Sequence, residues 1–353
     1  FYPKMRELIS VDELGRLRMQ LDYFQHYNFW DKRMYGDRFV EAFGQPRKRD
    51  EPLTSRHEAI AAAMQRVFEE VTQAVLVAAH ERTGQKRVVV NGGCFMNSVY
   101  NGKLTQTTPF DEVFIGSCPD DSGTAIGAAL YLHSLRKKER PRPKVVHNYW
   151  GPAFSDAECL ETAQQFRLPN AELVADPAKS AASDLVAGKL IGWFQGPMEF
   201  GQRALGNRSI LVDPRRDDAR DIVNSAVKYR ESFRPFAPAI LAEHVAEWFE
   251  CEPDMRVPFM ERVLPFREDK KKLVPAVVHV DGSGRLQTVD EATSPRFHAL
   301  IRAFAAETGV PIVLNTSFNL NGEPIVCEPK DAVRTFYSRG LAVLYLGNGR
   351  ISK

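Results

Sequence analysis

Five cations, Arg203, Arg208, Lys228, Arg230 and Arg234, fall within about 32 residues of this chain, in GPMEFGQRALGNRSILVDPR (196–215) and VKYRESFRPFAP (227–238). They are interleaved with glycine, proline and aromatic residues and do not follow the spacing of a solvated helix face. Arginine forks bind phosphate and carboxylate oxygens bidentately. Gly201, Gly206 and Ser209 would keep such a loop open to a ligand. A polyanion such as a nucleoside triphosphate would satisfy these charges; surface salt bridges are the competing reading.

Four further clusters bear on the same chemistry. In NGGCFMNSVYNGKL (91–104), Gly92 and Gly93 follow a strand directly, where backbone amides can approach a phosphate or ribose, and Asn97 lies one helical turn on. In PDDSGTAIGAA (119–129), Asp120 and Asp121 stand at a strand end with Gly123 opening a small-residue helix, a place for a metal, a nucleotide phosphate or simply an N-cap. Arg285 follows the DGSG turn of HVDGSGRLQTV, which could swing an arginine over a phosphate or close a plain hairpin. Asn315, Thr316, Ser317 and Asn319 form a dense polar set where PIVL opens into a loop, suited to a small polar ligand or to an asparagine-rich turn. His57, His80 and His133 lack spaced partners and read as ordinary helix histidines. Cys94 has no matched base and reads as a structural thiol.

The elements that must position these residues form an α/β pattern. Residues 1–50, aromatic and charged, read as an edge segment packed on something larger. Residues 54–82 read as a helix with Ile60, Met64, Val67, Val71, Val75 and Ala78 along one stripe. RVVVNGG (87–93) reads as a short buried strand ending in a glycine pair, EVFIGSC as a second strand, and TAIGAALYLHSL as a helix. The charged, proline-bearing stretch 134–147 reads as a linker, giving domains 1–140 and 141–353. Beyond it, SAASDLVAGKL and DAVRTFYSRG read as helices, and IGWF, PIVL and LAVLYL as strands.

The bulk numbers exclude several classes. The chain has 353 residues, 47 basic and 45 acidic, for a formal charge of +2, against the one-sided excess of a nucleic-acid binder. Five scattered cysteines without CxxC spacing predict reduced thiols in the cytoplasm. No apolar run approaches the ~20 residues that span a bilayer. The chain begins at Phe1, as a processed or trimmed polypeptide would.

Taken in order, these motifs resemble the NodU/CmcH family of O-carbamoyltransferases. MEFGQRALGNRSILVDPR is very close to the family's M-E-x-G-x-R-A-L-G-x-R-S, NGGCFMNSVYNGKL resembles its GG-x-x-x-N-x-x-x-N-G-K-L segment, and DDSGTAIGAAL its D-x-G-x-x-x-G-A-A segment. KYRESFRPFAP, HVDGSGRLQTV and LNTSFNLNGEPIV then follow in the family's order. The resemblance implies a partial actin-like ATPase (ASKHA) domain followed by a YrdC-like α/β domain. It implies an enzyme that makes carbamoyl-adenylate from carbamoyl phosphate and ATP and passes the carbamoyl group to a hydroxyl of a natural product. Lys228, Arg203, Arg234 and Arg285 would then neutralise phosphates. Ser209, Asn315 and Ser317 would orient the carbamoyl end, with Gly92, Gly93, Asn97, Asp120, Gly123, Arg208, Arg230 and Asn319 binding nucleotide. ATP, Mg²⁺ and a divalent transition metal, iron foremost, are the implied cofactors, with Asp121 matching the family's metal-binding aspartate.

One departure matters. The family's H-x-x-x-H metal pair lies upstream of the GG motif, and no such pair exists between Phe1 and Gly92. The first lobe of the actin-like domain is therefore expected to be missing, or supplied by another carrier, with transfer poor without it. A tRNA-threonylcarbamoylation enzyme and a non-catalytic nucleotide-binding regulator are the alternatives.

Overall fold

The computed structural model describes every residue except 31, 49, 138–144, 169, 229, 230, 232 and 339. Arg230 and half of the expected linker, residues 138–144, therefore lie outside the described residues. Two compact units emerge: Phe1–Val89 with Lys103–Phe114, and Val90–Gly102 with Ile115–Lys353. Their division does not coincide with a single cut near 140.

The first 137 residues form α1 (Tyr2–Glu7), β1 (Ile9–Val11), β2 (Leu17–Met19), α2 (Asp37–Phe43), α3 (Ser55–Thr83), β3 (Arg87–Val90), α4 (Ser98–Asn101), α5 (Leu104–Thr107), β4 (Glu112–Ile115) and α6 (Gly123–Lys137). In the first unit α3 is the organising element. It starts where the Nδ1 atom of His57 accepts the Thr54 amide at 3.1 Å. It stops at Gly84, whose φ of 63° lets its N–H reach the His80 carbonyl at 2.7 Å. Its Val67 and Val71 are buried in one cluster with Met5, Leu8, Tyr23 and Phe43, which is how the aromatic first 50 residues find their packing. Met64, expected on the same stripe, is 58% exposed. The β3 strand is not the buried strand that RVVV suggests. Among the described residues it pairs only with β4, and Val89 stays 71% exposed because a two-stranded sheet covers neither of its own faces.

The second unit continues with α7 (Asp156–Gln165), β5 (Ala171–Leu173), α8 (Pro177–Val186), β6 (Ile191–Phe194), β7 (Arg208–Val212), α9 (Ala219–Val223), β8 (Ala237–Leu241), α10 (Val245–Trp248), β9 (Val263–Pro265), β10 (Ser283–Arg285), β11 (Gln287–Val289), α11 (Pro295–Thr308), β12 (Ile312–Ser317), α12 (Pro329–Ser338), β13 (Val343–Leu346) and β14 (Gly349–Ser352). Eight of these strands make one mixed sheet in the order β11-β8-β12-β7-β6-β13-β14-β5. Its centre is antiparallel, β8 to β12 to β7 to β6, while β11 joins β8 and β13 joins β6 in parallel. β6, β8 and β13 are buried at every position, as their apolar runs require of strands covered on both faces, and β7 is buried throughout although it opens on Arg208 and Ser209. The DGSG turn runs into β10 and makes no tight hairpin, because the strand that pairs with β10 lies well before the turn. β10 pairs antiparallel with β9, whereas β11, one residue further on, joins β8 in the large sheet. No described helix is long and apolar enough to cross a membrane.

A buried charge network ties the end of the chain to α8. Asp184 accepts from Tyr345 at 2.6 Å, from Lys189 at 2.7 Å and from Arg350 at 2.8 and 3.0 Å. Burial alone would raise its pKa, but these donors outweigh burial and hold the carboxyl at about 2. A carboxyl depressed in the folded state contributes stability above its unfolded pKa and loses that contribution as pH falls through the folded value. Asp184→Asn is therefore expected to lower stability by about 2 kcal/mol at pH 7, a partly screened version of breaking a buried pair. The deficit should shrink between pH 4 and pH 2, read by urea unfolding across that range.

Candidate active site

Two clefts of the second unit meet at Gln202, Arg203 and Met260. The first, about 340 Å³ including its mouth, is walled by Phe95, Met96, residues 116–120 and Glu261. The second, about 400 Å³ including its mouth, is walled by Pro235–Ala237, Arg285 and Asn315–Ser317. The cation loop after β6 thus stands between residues of the NGG and DDSG motifs and the polar end of β12. Met260 holds a left-handed backbone, φ 56°, at this junction. Strained non-glycine residues of this kind persist where surrounding packing over-determines them.

Arg203 faces both clefts, and burial lowers its pKa. Among the described residues it has no ion-pair or hydrogen-bond partner, so an anion entering either cleft would meet an uncompensated guanidinium. Arg285, on β10, lines the second cleft. Asn315 is 1% exposed; its Nδ2 donates to the Ala204 carbonyl and to Gln287 Oε1, and its Oδ1 is buried without a partner. Lys228 ends a π-helical turn that follows α9. Its Nζ donates to the carbonyl and hydroxyl of Ser317 at 2.6 and 3.0 Å, and to Asn319 Oδ1 at 2.6 Å. Lys228 and Asn319 therefore stand behind Ser317 and shape the end of β12.

Other expected residues sit elsewhere. Arg208 is fully buried at the start of β7, over the Phe194 ring at 3.6 Å, and its nitrogens donate to backbone carbonyls including those of Gln195, Asn207 and Pro152. Ser209 is also fully buried, and its hydroxyl accepts the Gly206 amide. Arg234 is exposed and pairs with Glu231 at 2.8 Å. Asn97 caps α4 by accepting the Tyr100 amide. Gly92 has φ 101°, and open space lies where a Cβ would stand on Gly92 or Gly93. Gly123 is sterically required: a Cβ there would lie 2.1 Å from the Cys118 carbonyl oxygen.

Asp120 lines the first cleft and accepts from Ser122 and Gln202, whereas Asp121 is exposed and receives Thr124 on its backbone oxygen. Sequence reasoning assigned no role to Gln202, Met260 and Glu261. Burial pushes the Glu261 carboxyl up to about 7, against the Phe259 amide and the nearby Arg262 charge. Perturbed carboxyls in clefts mark functional sites more often than chance. Nothing in the local string FMERVLP announces this one, because the cleft is assembled from distant segments.

Comparison with known proteins supplies the family. The model described as "Carbamoyltransferase N-terminus" matches residues 4–130, and "Carbamoyltransferase C-terminus" matches residues 182–353. Nodulation protein NolNO of Sinorhizobium fredii is 42% identical over 320 residues, covering 87% of this chain and 46% of that protein. This chain belongs to the carbamoyltransferase family. Nodulation protein NolO of Bradyrhizobium diazoefficiens is 40% identical, over 86% of this chain and 56% of that protein. A 3'-hydroxymethylcephem-O-carbamoyltransferase of Amycolatopsis lactamdurans is 34% identical, over 82% and 53%. The chain thus spans about half the length of these curated relatives.

The transition metal implied for this carbamoyltransferase chain does not fit its own described residues. No group of three or more His, Cys, Asp or Glu side chains among them could hold a metal ion. Asp121 alone is no centre, so no step below is routed through a metal.

Proposed function

We propose that this chain carries the adenylating half of an ATP-dependent O-carbamoyltransferase. In this reading the eight-stranded sheet is the core of a YrdC-like domain, and the preceding residues belong to an actin-like ATPase domain. Carbamoyl phosphate loses phosphate to water and gives carbamate. A carbamate oxygen attacks the α-phosphorus of ATP, pyrophosphate leaves, and carbamoyl-adenylate forms. An acceptor hydroxyl then attacks the carbamoyl carbon, losing its proton, and AMP departs with the pair from the broken bond. The observation that carries the reading is Arg203, a half-buried guanidinium with no partner among the described residues at the junction of two clefts. Charge moves onto departing pyrophosphate during adenylation, and preorganised cations are how proteins stabilise such transfer. Arg285 lines the same cleft, and Asn315 and Ser317 offer polar groups for the carbamoyl end.

The relatives named for nodulation and for cephem carbamoylation support a small-molecule hydroxyl as acceptor. Transfer is assigned to the protein as a whole and not to this span alone, and five free cysteines support a cytoplasmic setting. The test is pyrophosphate release from ATP and Mg²⁺ with carbamoyl phosphate, beside an arm with threonine and bicarbonate. Release that requires carbamoyl phosphate is expected. Release with threonine and bicarbonate alone would point to tRNA-type chemistry, and ATP binding with no release in either arm to a nucleotide-binding regulator.

A further inference from the structure

The loop from 195 to 208 is fastened by two buried side chains, a carboxyl that takes its N–H groups and a guanidinium that takes its C=O groups. Glu199, 3% exposed, uses one oxygen for three amides: Leu205 at 2.7 Å, Asn207 at 2.7 Å and Arg208 at 3.3 Å. Its other oxygen is buried without a partner. Arg208, fully buried, takes the carbonyls: Gln195 at 2.7 Å, Asn207 at 2.9 Å, Gly196 at 3.2 Å, and Pro152 and Cys327 at 3.3 Å. Two further backbone oxygens of the turn are taken by side chains, Ala204 by Asn315, and Leu205 by Tyr149 and Gln287. Arg203, beside Gln202, is the charged side chain this fastened segment leaves facing the clefts.

We propose that Glu199 and Arg208 form a single electrostatic clamp that fixes the loop so that Arg203 points into the clefts, which makes Arg208 a positioning residue and not a phosphate ligand. Each ion alone would be an uncompensated charge in the interior. Together they cancel in net charge while binding complementary groups of one loop, the anion its N–H groups and the cation its C=O groups. Burial raises the Glu199 carboxyl, and both the loop amides and the Arg208 charge oppose that rise. An arginine whose three nitrogens already donate to main-chain oxygens has little left to offer a phosphate. Neither the family assignment nor the comparisons give these two residues this role. The kinetic readout rests on the proposed adenylation, but the structural readout does not.

The test uses the full chain with Glu199→Ala, Arg208→Met and the double variant. Glu199→Gln, which keeps an accepting oxygen but no charge, stands in if the alanine variant does not fold. Hydrogen exchange of the Leu205, Asn207 and Arg208 amides is read first, in the absence of ligand. Each single variant is expected to speed exchange by roughly 100-fold, as a locally opened segment does. In pyrophosphate release, each should raise the KM for ATP by about 30-fold while kcat moves less. The double variant should fall about tenfold short of the product of the singles, the signature of coupled partners. Protected amides in Arg208→Met together with weakened ATP binding would make Arg208 a direct ligand and overturn the clamp. Full additivity of the two substitutions would overturn it equally. If the unmodified chain releases no pyrophosphate, the proposed function fails, and the exchange rates still decide the clamp.

Discussion

Arg203→Ala is expected to cut carbamoyl-phosphate-dependent pyrophosphate release by about 300-fold while leaving the fold intact. The magnitude follows from what one preorganised donor contributes to a charge-developing transition state, about 10²–10³ in rate. Stability should change little or improve, because burial already lowers the Arg203 pKa and nothing among the described residues compensates its charge. Removing an uncompensated, half-buried cation relieves part of a desolvation cost; removing a structural one would create a defect. The substitution thus separates the two arginines of one motif, the half-buried Arg203 and the fully buried Arg208. Arg203→Ala should lose activity with an unchanged or raised melting temperature, whereas Arg208→Met loosens the loop. Arg203→Lys keeps the charge but not the planar fork, and should recover only part of the rate. A melting-temperature loss for Arg203→Ala as large as for Arg208→Met, with pyrophosphate release retained, would remove Arg203 from the site.

That contrast also shows where the sequence stops being legible. The block 196–215 announces itself by composition, and Arg203 and Arg208 are equivalent on local evidence. Their fates diverge because Arg208 opens β7, which is buried on both faces, while Arg203 lies on the turn before it. Only the path of residues 195–207, folded back under Glu199, decides which arginine turns inward. The elements themselves were far easier to read. The strands IGWF, PIVL and LAVLYL follow from unbroken apolar runs, and α3 from its three- and four-residue stripe. Pairing was harder: the DGSG signal correctly marks a turn, with the Gly282 amide donating to His279, but its strand partner comes from β9, far upstream. Glu261 was illegible for the same reason: burial raises its carboxyl, and the cleft it lines is walled by residues 95–96, 116–120, 202–203 and 259–260.

Lys228→Met should combine a large loss of stability with a large loss of activity, and the order in which the two appear identifies what the lysine does. Its ammonium, 5% exposed, is ringed by the Ser317 carbonyl and hydroxyl and by the Asn319 carbonyl and amide oxygens, at 2.6–3.2 Å. Methionine fills the stem but donates nothing, leaving several inward oxygens without a donor at about 1–3 kcal/mol each before relaxation. A net destabilisation of about 3 kcal/mol is therefore expected, read by urea unfolding without ligand. Ser317 lines the Arg203–Arg285 cleft while the lysine approaches from behind it, so the polar end of β12 should shift and pyrophosphate release fall by about 100-fold. Lys228→Arg brings donors that the compact ring cannot all use and should restore stability only in part. If Lys228→Met unfolds at the same urea concentration as the unmodified chain yet no longer binds ATP, the lysine turns toward a phosphate when nucleotide arrives. If it is destabilised and the surviving folded fraction binds ATP normally, Lys228 serves the strand end alone.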